Sequence, residues 1–141
     1  MRHQIKVRKL SRPKPHREAM LANLATSLFD NRTIQTTETK AKELKRIVDR
    51  LISTAKKDTL SARRQVARTI RDKKVFKKLF NEIIPQFKER DSGFTRVLRV
   101  GFRRGDAAMI SMVELLTEKP KVDKDKEKAK KEKKEKKAGK K

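Results

Sequence analysis

Positively charged residues are concentrated at both ends of this chain, and we therefore expect the folded domain to lie in the middle. Residues 1–17 hold seven Lys or Arg and no acid, whereas residues 119–141 hold 13 Lys and one branched apolar residue, Val122. Segments of this composition bury too little apolar surface to offset the entropy lost on ordering. We therefore predict three parts along the chain. They are a basic extended arm over 1–14, a compact domain over 15–117 and a disordered Lys-rich tail over 118–141.

The formal net charge of +24 indicates the kind of partner. Like charges at this density oppose compaction unless a polyanion neutralises them, and nucleic acid is the polyanion we expect. With no cysteine, the chain has no disulfide and no thiolate for catalysis or for zinc. We expect no membrane partner, because no apolar run approaches the roughly 20 residues of a membrane helix. We expect no secretory signal, because no short uninterrupted apolar segment follows the basic residues 1–17. The sequence thus predicts a cytosolic protein bound to a polyanion.

The middle of the chain carries the apolar periodicity of helices, followed by that of strands. Helices are predicted over about 16–30, 38–55, 59–71 and 73–84, with Thr37 and Asp72 as N-caps. The β-branched stretch 33–36 predicts a short strand, and the runs 95–102 and 107–116 predict a hairpin that turns at 103–106. Helices first and strands last indicate an α+β fold in two layers. About four helices would pack on a small, mostly C-terminal sheet.

A basic stripe follows one face of the predicted third helix. Arg64, Arg68 and Arg71 fall within an arc of about 60° on a helix, opposite its apolar residues. The lysines of the fourth helix repeat this pattern. The second helix differs, because acids and bases such as Glu43 and Arg46 are spaced for ion pairs. We therefore expect phosphate contacts on the third and fourth helices and a solvated face on the second.

Four arginines near the predicted hairpin give a sharper signal. Arg96, Arg99, Arg103 and Arg104 lie within nine residues, with few acids and several glycines near them in sequence. A guanidinium group presents a planar fork to phosphate oxygens, and glycine lets two backbones approach closely. Turns explain the glycines but not the arginines. The pattern therefore predicts a phosphate clamp.

The chain offers little for base stacking, metal binding or catalysis. It has no Trp or Tyr, and Phe94 and Phe102 are predicted to pack in the core rather than to stack on bases. His3 and His16 lie among cations, so we expect hydrogen bonds to RNA rather than a metal site. No nucleophile, base and orienting acid stand out together. We expect no enzyme activity, no cofactor, no metal and no small-molecule substrate.

Recognition of the backbone and shape of a structured RNA fits these features best. The candidate RNA-binding residues come from the arm, the start of the first helix, the third helix and the hairpin. They are Arg2, His3, Lys6, Arg8, Lys9, Arg12, Lys14, His16, Arg17, Arg64, Arg68, Arg71, Arg96, Arg99, Arg103 and Arg104.

Seven blocks of sequence point to a known family. They are Met1-Arg2-His3, Lys9-Leu10-Ser11-Arg12, and the blocks 16–28, 36–44, 93–97, 103–108 and 113–116. In this order they closely resemble the bacterial large-subunit ribosomal protein L17 family, over about residues 1–117. The resemblance implies a compact domain with helices packed on a small mixed sheet. It also implies binding to large-subunit ribosomal RNA near the outer end of the nascent-peptide tunnel, beside protein L32.

Two other interpretations compete with a structural constituent of the ribosome. A nucleoid or RNA-chaperone protein would coat nucleic acid without a fixed site, and charge alone permits it. The varied, ordered motifs favour one irregular surface over a uniform duplex. A cationic protein of the membrane surface would need a basic amphipathic helix with exposed bulky residues, which the sequence lacks.

Overall fold

The computed structural model describes residues 8–117, and the terminal segments 1–7 and 118–141 lie outside this range. The predicted extended arm lies partly, and the predicted tail wholly, in those segments. The helices are α1 (Lys14–Asn31), α2 (Glu38–Ala55), α3 (Leu60–Thr69), α4 (Lys73–Lys78) and α5 (Ile84–Gln86), with a π-helical turn (Leu79–Ile83) between the last two. The strands are β1 (Thr33–Thr37), β2 (Thr95–Phe102) and β3 (Met109–Leu115).

Helix α1 begins at Lys14, slightly earlier than its predicted start after Pro15. Proline suits the first turn of a helix, because the missing N–H there would have no partner within the helix. Just before it, the N–H of Arg12 donates to the carbonyl of Lys9 at 3.2 Å, and Leu10 and Ser11 adopt left-handed backbone angles. The residues that precede the helix therefore form a tight turn. The arm that was predicted to be extended over 1–14 thus contains a turn over residues 9–12, while Pro13 itself has an extended backbone.

The other helix starts agree closely with the sequence. Thr59 accepts a hydrogen bond from the N–H of Ala62 at 3.2 Å, and Asp72 accepts one from the N–H of Lys74 at 2.8 Å. Both are N-cap interactions, which satisfy N–H groups that have no partner within the helix. Thr37 also occupies an N-cap position, but its side chain makes no capping hydrogen bond.

The predicted fourth helix is one run of helical backbone with a wide turn in its middle. Pro85 follows that turn and cannot donate to the carbonyl of Asn81, four residues earlier. The N–H of Ile84 instead donates to the carbonyl of Leu79, five residues earlier, which is the π-helical pattern. The wider turn gives the proline ring the room that an α-helical turn would deny it.

The three strands form one sheet in the order β1–β3–β2, and both pairings are antiparallel. The sheet is therefore antiparallel, not mixed as the family resemblance implied. The short loop from Arg103 to Ala108 accounts for one pairing, because a tight hairpin joins strands that run in opposite directions. A bulge at Val100 interrupts the pairing of β2 with β3.

The core lies between the helices and one face of the sheet. Fully buried side chains from α1, α2 and β3, among them Phe29, Leu44 and Val113, occupy it. Phe94 joins them and packs edge-on against Phe87, with their ring centroids 5.1 Å apart. The fold is α+β in two layers, as predicted.

Arg32 connects the end of α1, the π-helical turn and the end of β3. It follows α1 with a left-handed backbone, is buried, and its guanidinium lies 3.2 Å from the carboxylate of Glu82 in the π-helical turn. Its carbonyl accepts a hydrogen bond from the N–H of Leu115 at the end of β3. A buried arginine needs such partners, because an unpaired charge in the interior is costly.

Candidate nucleic-acid interface

Two arginines of the predicted basic stripe, Arg64 and Arg68, lie on α3, which ends at Thr69 and not at Arg71 as predicted. Arg71 is exposed in the short link between α3 and α4. Ala62 and Val66 are buried under α3, which turns the arginines of the stripe outward. We call the following six exposed residues the α3–α4 surface: Arg64, Arg68, Arg71, Lys73, Lys74 and Lys77. Within residues 8–117, none of these six forms an ion pair. Their positive charge is thus left for an external partner.

A groove separates this surface from α1. Arg68 and Arg71 line one wall, and Ala22 and Asn23 of α1 lie on the other, around a volume of about 600 Å³. Glu18 on the α1 side and Asp72 on the side of Arg68 and Arg71 also line it, so each wall carries one carboxylate. A phosphate backbone would meet cations only along the α3 wall.

A second basic surface surrounds the tight turn that precedes α1. Arg8, Lys9 and Arg12 line a recess of about 500 Å³ together with Lys40 from the first turn of α2. We call these four residues the N-terminal recess. Arg8 lies 3.9 Å from the carboxylate of Glu43, a long contact that leaves about half of its side chain exposed.

Lys40 was not among the predicted site residues. Its sequence signal was weak, because the second helix was expected to present a solvated face balanced by ion pairs. In the structure Lys40 also lines a recess with Arg103 and Thr37, so the N-terminal recess adjoins the base of the hairpin. Only the tertiary fold brings this cation, in the first turn of a helix, beside two other basic segments.

The surroundings of the four hairpin arginines differ most from what the sequence suggested, because three of them are paired with carboxylates. Arg96 lies 3.4 Å from Glu114 on β3, and Arg99 lies 3.0 Å from Glu38 at the start of α2. Arg103 makes two hydrogen bonds to Asp106 across the turn, at 3.0 and 2.6 Å. Few acids lie near these arginines in sequence, but the fold brings three carboxylates to them, two from elements that are distant in sequence.

Arg104 alone among these four arginines forms no ion pair in the part of the chain that the structure describes. It is exposed at the tip of a turn that is held firmly. The N–H of Ala108 donates to Asp106, and the N–H of Arg103 donates to the carbonyl of Ala108. Gly105 adopts a φ of +102°, which a residue with a side chain would reach only with strain.

Two carboxylates that face the hairpin arginines, Asp106 and Glu38, stay ionised at neutral pH because their pKa values are lowered. Hydrogen bonds from Arg103 and from the N–H of Ala108 lower the pKa of Asp106 to about 2. Hydrogen bonds from Lys42 and then Arg99 lower the pKa of Glu38. In turn, Asp106 raises the pKa of Arg103. These pairs therefore persist across the physiological pH range.

The remaining predicted residues fall in two groups. Arg2, His3 and Lys6 lie outside the described residues. Lys14, His16 and Arg17 lie in the first turns of α1, and Lys14 is 4.0 Å from Glu18 in an exposed pair that contributes little.

Residues 8–117 contain no cluster of three or more His, Cys, Asp or Glu able to hold a metal ion. No helix within that range is long and apolar enough to cross a membrane. One prediction about aromatic residues is wrong, since Phe102 is 71% exposed at the end of β2. Phe102 is the last residue of a strand at the edge of the three-stranded sheet, and its side chain there stays largely in solvent.

The fold and these surfaces define a class of protein. It is a small, highly basic α+β domain whose surface carries much more positive charge than its own carboxylates balance. Comparison with known proteins then identifies the family. The family described as "Ribosomal protein L17" matches residues 20–116.

Two curated relatives cover most of the chain. The "Large ribosomal subunit protein bL17" of Geobacter sulfurreducens is 48% identical over 128 residues, which span 89% of this chain and 73% of the relative. The protein of the same name from Geobacter metallireducens is 47% identical over 129 residues, which span 92% of this chain and 71% of the relative. The chain therefore belongs to the ribosomal protein L17 family. It is a structural protein of the large ribosomal subunit in the cytoplasm and not an enzyme.

Proposed function

We propose that this protein binds folded large-subunit ribosomal RNA near the exit of the nascent-peptide tunnel, beside protein L32, and stabilises that RNA during subunit assembly. The observation that carries RNA binding is the α3–α4 surface, six exposed cations that lack carboxylate partners in the described residues. The position on the subunit and the neighbour rest on the resemblance to the family.

Unpaired cations are the groups that contribute most to RNA affinity. Each phosphate that a Lys or Arg neutralises releases condensed counterions, and this gain diminishes as salt rises. An arginine already paired with a carboxylate contributes less, because binding phosphate means giving up the existing partner. We therefore assign the main RNA contacts to the α3–α4 surface and to the N-terminal recess, with Arg104 as a single contact at the hairpin tip.

The protein would recognise RNA by shape and backbone rather than by unpaired bases. Five of the six phenylalanines are buried or half-buried, so the exposed surface has no stacking platform of several rings. The two basic surfaces lie on different elements and are fixed by a common core. Such a rigid, irregular arrangement suits one folded RNA site better than an unbroken duplex.

Tethered cleavage of the RNA backbone tests this proposal. The chain has no native cysteine, so a single introduced cysteine can carry an iron chelate that cuts nearby RNA. We would place it at Ser61 on α3 and at Thr39 beside the N-terminal recess, with Ser53 on the exposed face of α2 as control. All three positions are uncharged and exposed.

In reconstituted large subunits, Ser61→Cys and Thr39→Cys are expected to give a few strong cuts in ribosomal RNA around the tunnel exit. Ser53→Cys is expected to give weaker cuts. Cuts at another location would refute the tunnel-exit position, and diffuse cleavage from all three would favour the nucleoid or RNA-chaperone alternative. Chemical crosslinking of the same subunits tests the neighbour, since crosslinks to L32 are expected and their absence would refute that contact.

A further inference from the structure

The outer strand of the hairpin carries most of the exposed bulky apolar side chains in the described residues. Among residues 8–117, four large hydrophobic residues are exposed, and three of them lie on β2. Leu98 is 38% exposed, Val100 is 55% and Phe102 is 71%. The fourth is Leu60 on α3. A cluster of this kind on a highly charged protein indicates an interaction surface.

These side chains share an edge rather than one face of the sheet. Leu98 lies opposite Met112 and Phe102 lies opposite Met109. Because side chains on β3 alternate between faces, these two positions, three residues apart, place Leu98 and Phe102 on opposite faces. A partner lying flat on one face would cover only one of them. A strand added along the outer side of β2 would contact both.

The backbone of β2 is available for such an addition. The strand order β1–β3–β2 leaves one side of β2 without a neighbouring strand in the described part of the chain. Edge strands are usually protected by proline, lysine or a bulge. Strand β2 has neither proline nor lysine, and its two arginines, Arg96 and Arg99, are each paired with a carboxylate. Its bulge at Val100 leaves regular pairing with β3 over Thr95–Arg99.

Charge makes this edge a poor site for phosphate. Three arginines could have made the edge of β2 basic, but each lies within 3.4 Å of a carboxylate. They are Arg96, Arg99 and Arg103. What remains is an apolar edge with a single unpaired cation, Arg104, at one end. Ribosomal RNA needs unpaired cations, whereas an apolar peptide strand gains from contact with bulky side chains.

Two other occupants fit less well. A second copy would bring another highly charged chain of net +24 against the first, with Arg104 in both. The chain's own C-terminal segment, residues 118–141, is rich in Lys and has one branched apolar residue to offer.

We propose that the outer edge of β2 pairs with an extended segment of a neighbouring large-subunit protein. That segment would carry apolar side chains on both of its faces, with an acidic residue near Arg104. The inference rests on the proposed function, and it separates the molecule into an RNA-facing α3–α4 surface and a protein-facing hairpin edge.

Site-specific photocrosslinking in assembled subunits tests this inference. A benzoylphenylalanine would replace Leu98, Val100 or Phe102 one at a time, and Leu60 would serve as the matched control, since it is bulky, apolar and 64% exposed. Subunits washed in high salt would be irradiated and digested, and the crosslinked peptides and nucleotides would be identified.

We expect positions 98 and 102 to crosslink to one segment of a single large-subunit protein, at residues about three apart, as their partners on β3 are. Position 60 is expected to miss that segment. Crosslinks from 98 and 102 to RNA, crosslinks scattered over several proteins, or no crosslink would overturn the inference while leaving RNA binding intact. Loss of the chain from the washed subunits would instead overturn the large-subunit function, and the inference with it.

Discussion

The salt dependence of RNA binding distinguishes unpaired cations from total charge. We consider the triple variant Arg64→Gln, Arg68→Gln and Arg71→Gln, which removes half of the α3–α4 surface. The three side chains are exposed and form no ion pair within residues 8–117, and their buried neighbours stay in place. The variant should therefore fold normally and bind RNA through fewer cations.

The expected effect follows from the number of phosphates that the variant can no longer neutralise. Each neutralised phosphate adds about 0.9 to the slope of log K against log salt on a duplex and about 0.7 on a single strand. Removing three cations should reduce the magnitude of the slope by about 2 to 3. Binding by the variant would then be weaker at low salt and less sensitive to salt.

Filter binding to a transcript of large-subunit ribosomal RNA, from about 0.05 to 0.2 M KCl, would measure both slopes. The control variant carries Arg50→Gln, Lys57→Gln and Lys88→Gln. These residues are also exposed and without ion pairs in the described region, but they lie outside both proposed surfaces. Each triple variant lowers the net charge from +24 to +21.

A large fall in slope for the α3–α4 variant and a small one for the control is the expected result. Equal decreases in the salt slope for the two variants would refute the assignment of RNA binding to the α3–α4 surface. They would mean that total charge governs binding and that no placed surface exists.

Three further predictions concern stability and titration. Phe94→Ala should lower the free energy of unfolding by about 3–5 kcal/mol, because the ring is buried. Phe102→Ala should change it by less than about 0.5 kcal/mol, because that ring is exposed. Urea denaturation measures both. Glu82→Gln weakens one partner of the buried Arg32 and should cost about 1–3 kcal/mol in the same assay. The carboxyl resonance of Asp106 should titrate with a pKa of about 2, so that its stabilising pair is complete above about pH 4 and is lost as the pH falls through 2.

Each of these predictions has a clear contrary result. Equal destabilisation by the two phenylalanine substitutions would show that Phe102 is buried in solution. An unchanged stability of Glu82→Gln would mean that Arg32 is satisfied without that carboxylate. A pKa of Asp106 near the ordinary value of 3.8 would show that its pair with Arg103 does not form.

Local signals in the sequence predicted most of the fold. The spacing of apolar residues placed the helices, and Thr59 and Asp72 fixed two starts through side chains that act within one turn. The basic stripe was predictable in part for the same reason, since Arg64 and Arg68 lie on one helix and keep their angular relation in any fold. Arg71 lies beyond the end of α3 at Thr69, so its position depends on the link to α4.

Contacts between distant parts of the chain could not be predicted in this way. Arg99 and Glu38 are 61 residues apart, and only the packing of β2 beside the start of α2 brings them together. The local pattern therefore overstated the unpaired charge of the hairpin. Phe102 was misplaced because an apolar residue in a strand indicates a buried face only when something covers it. Nothing local to Phe102 indicates that β2 lies at the edge of the sheet.

Sedimentation of a cell lysate tests the central claim most directly. Ribosomal subunits would be washed in high salt and separated on a sucrose gradient, and each fraction would be probed for this protein and for a known large-subunit protein. We predict that the protein stays in the large-subunit peak at one copy per subunit, because a fixed surface holds it by shape as well as by charge. Release into the light fractions, or migration with chromosomal DNA, would contradict the account.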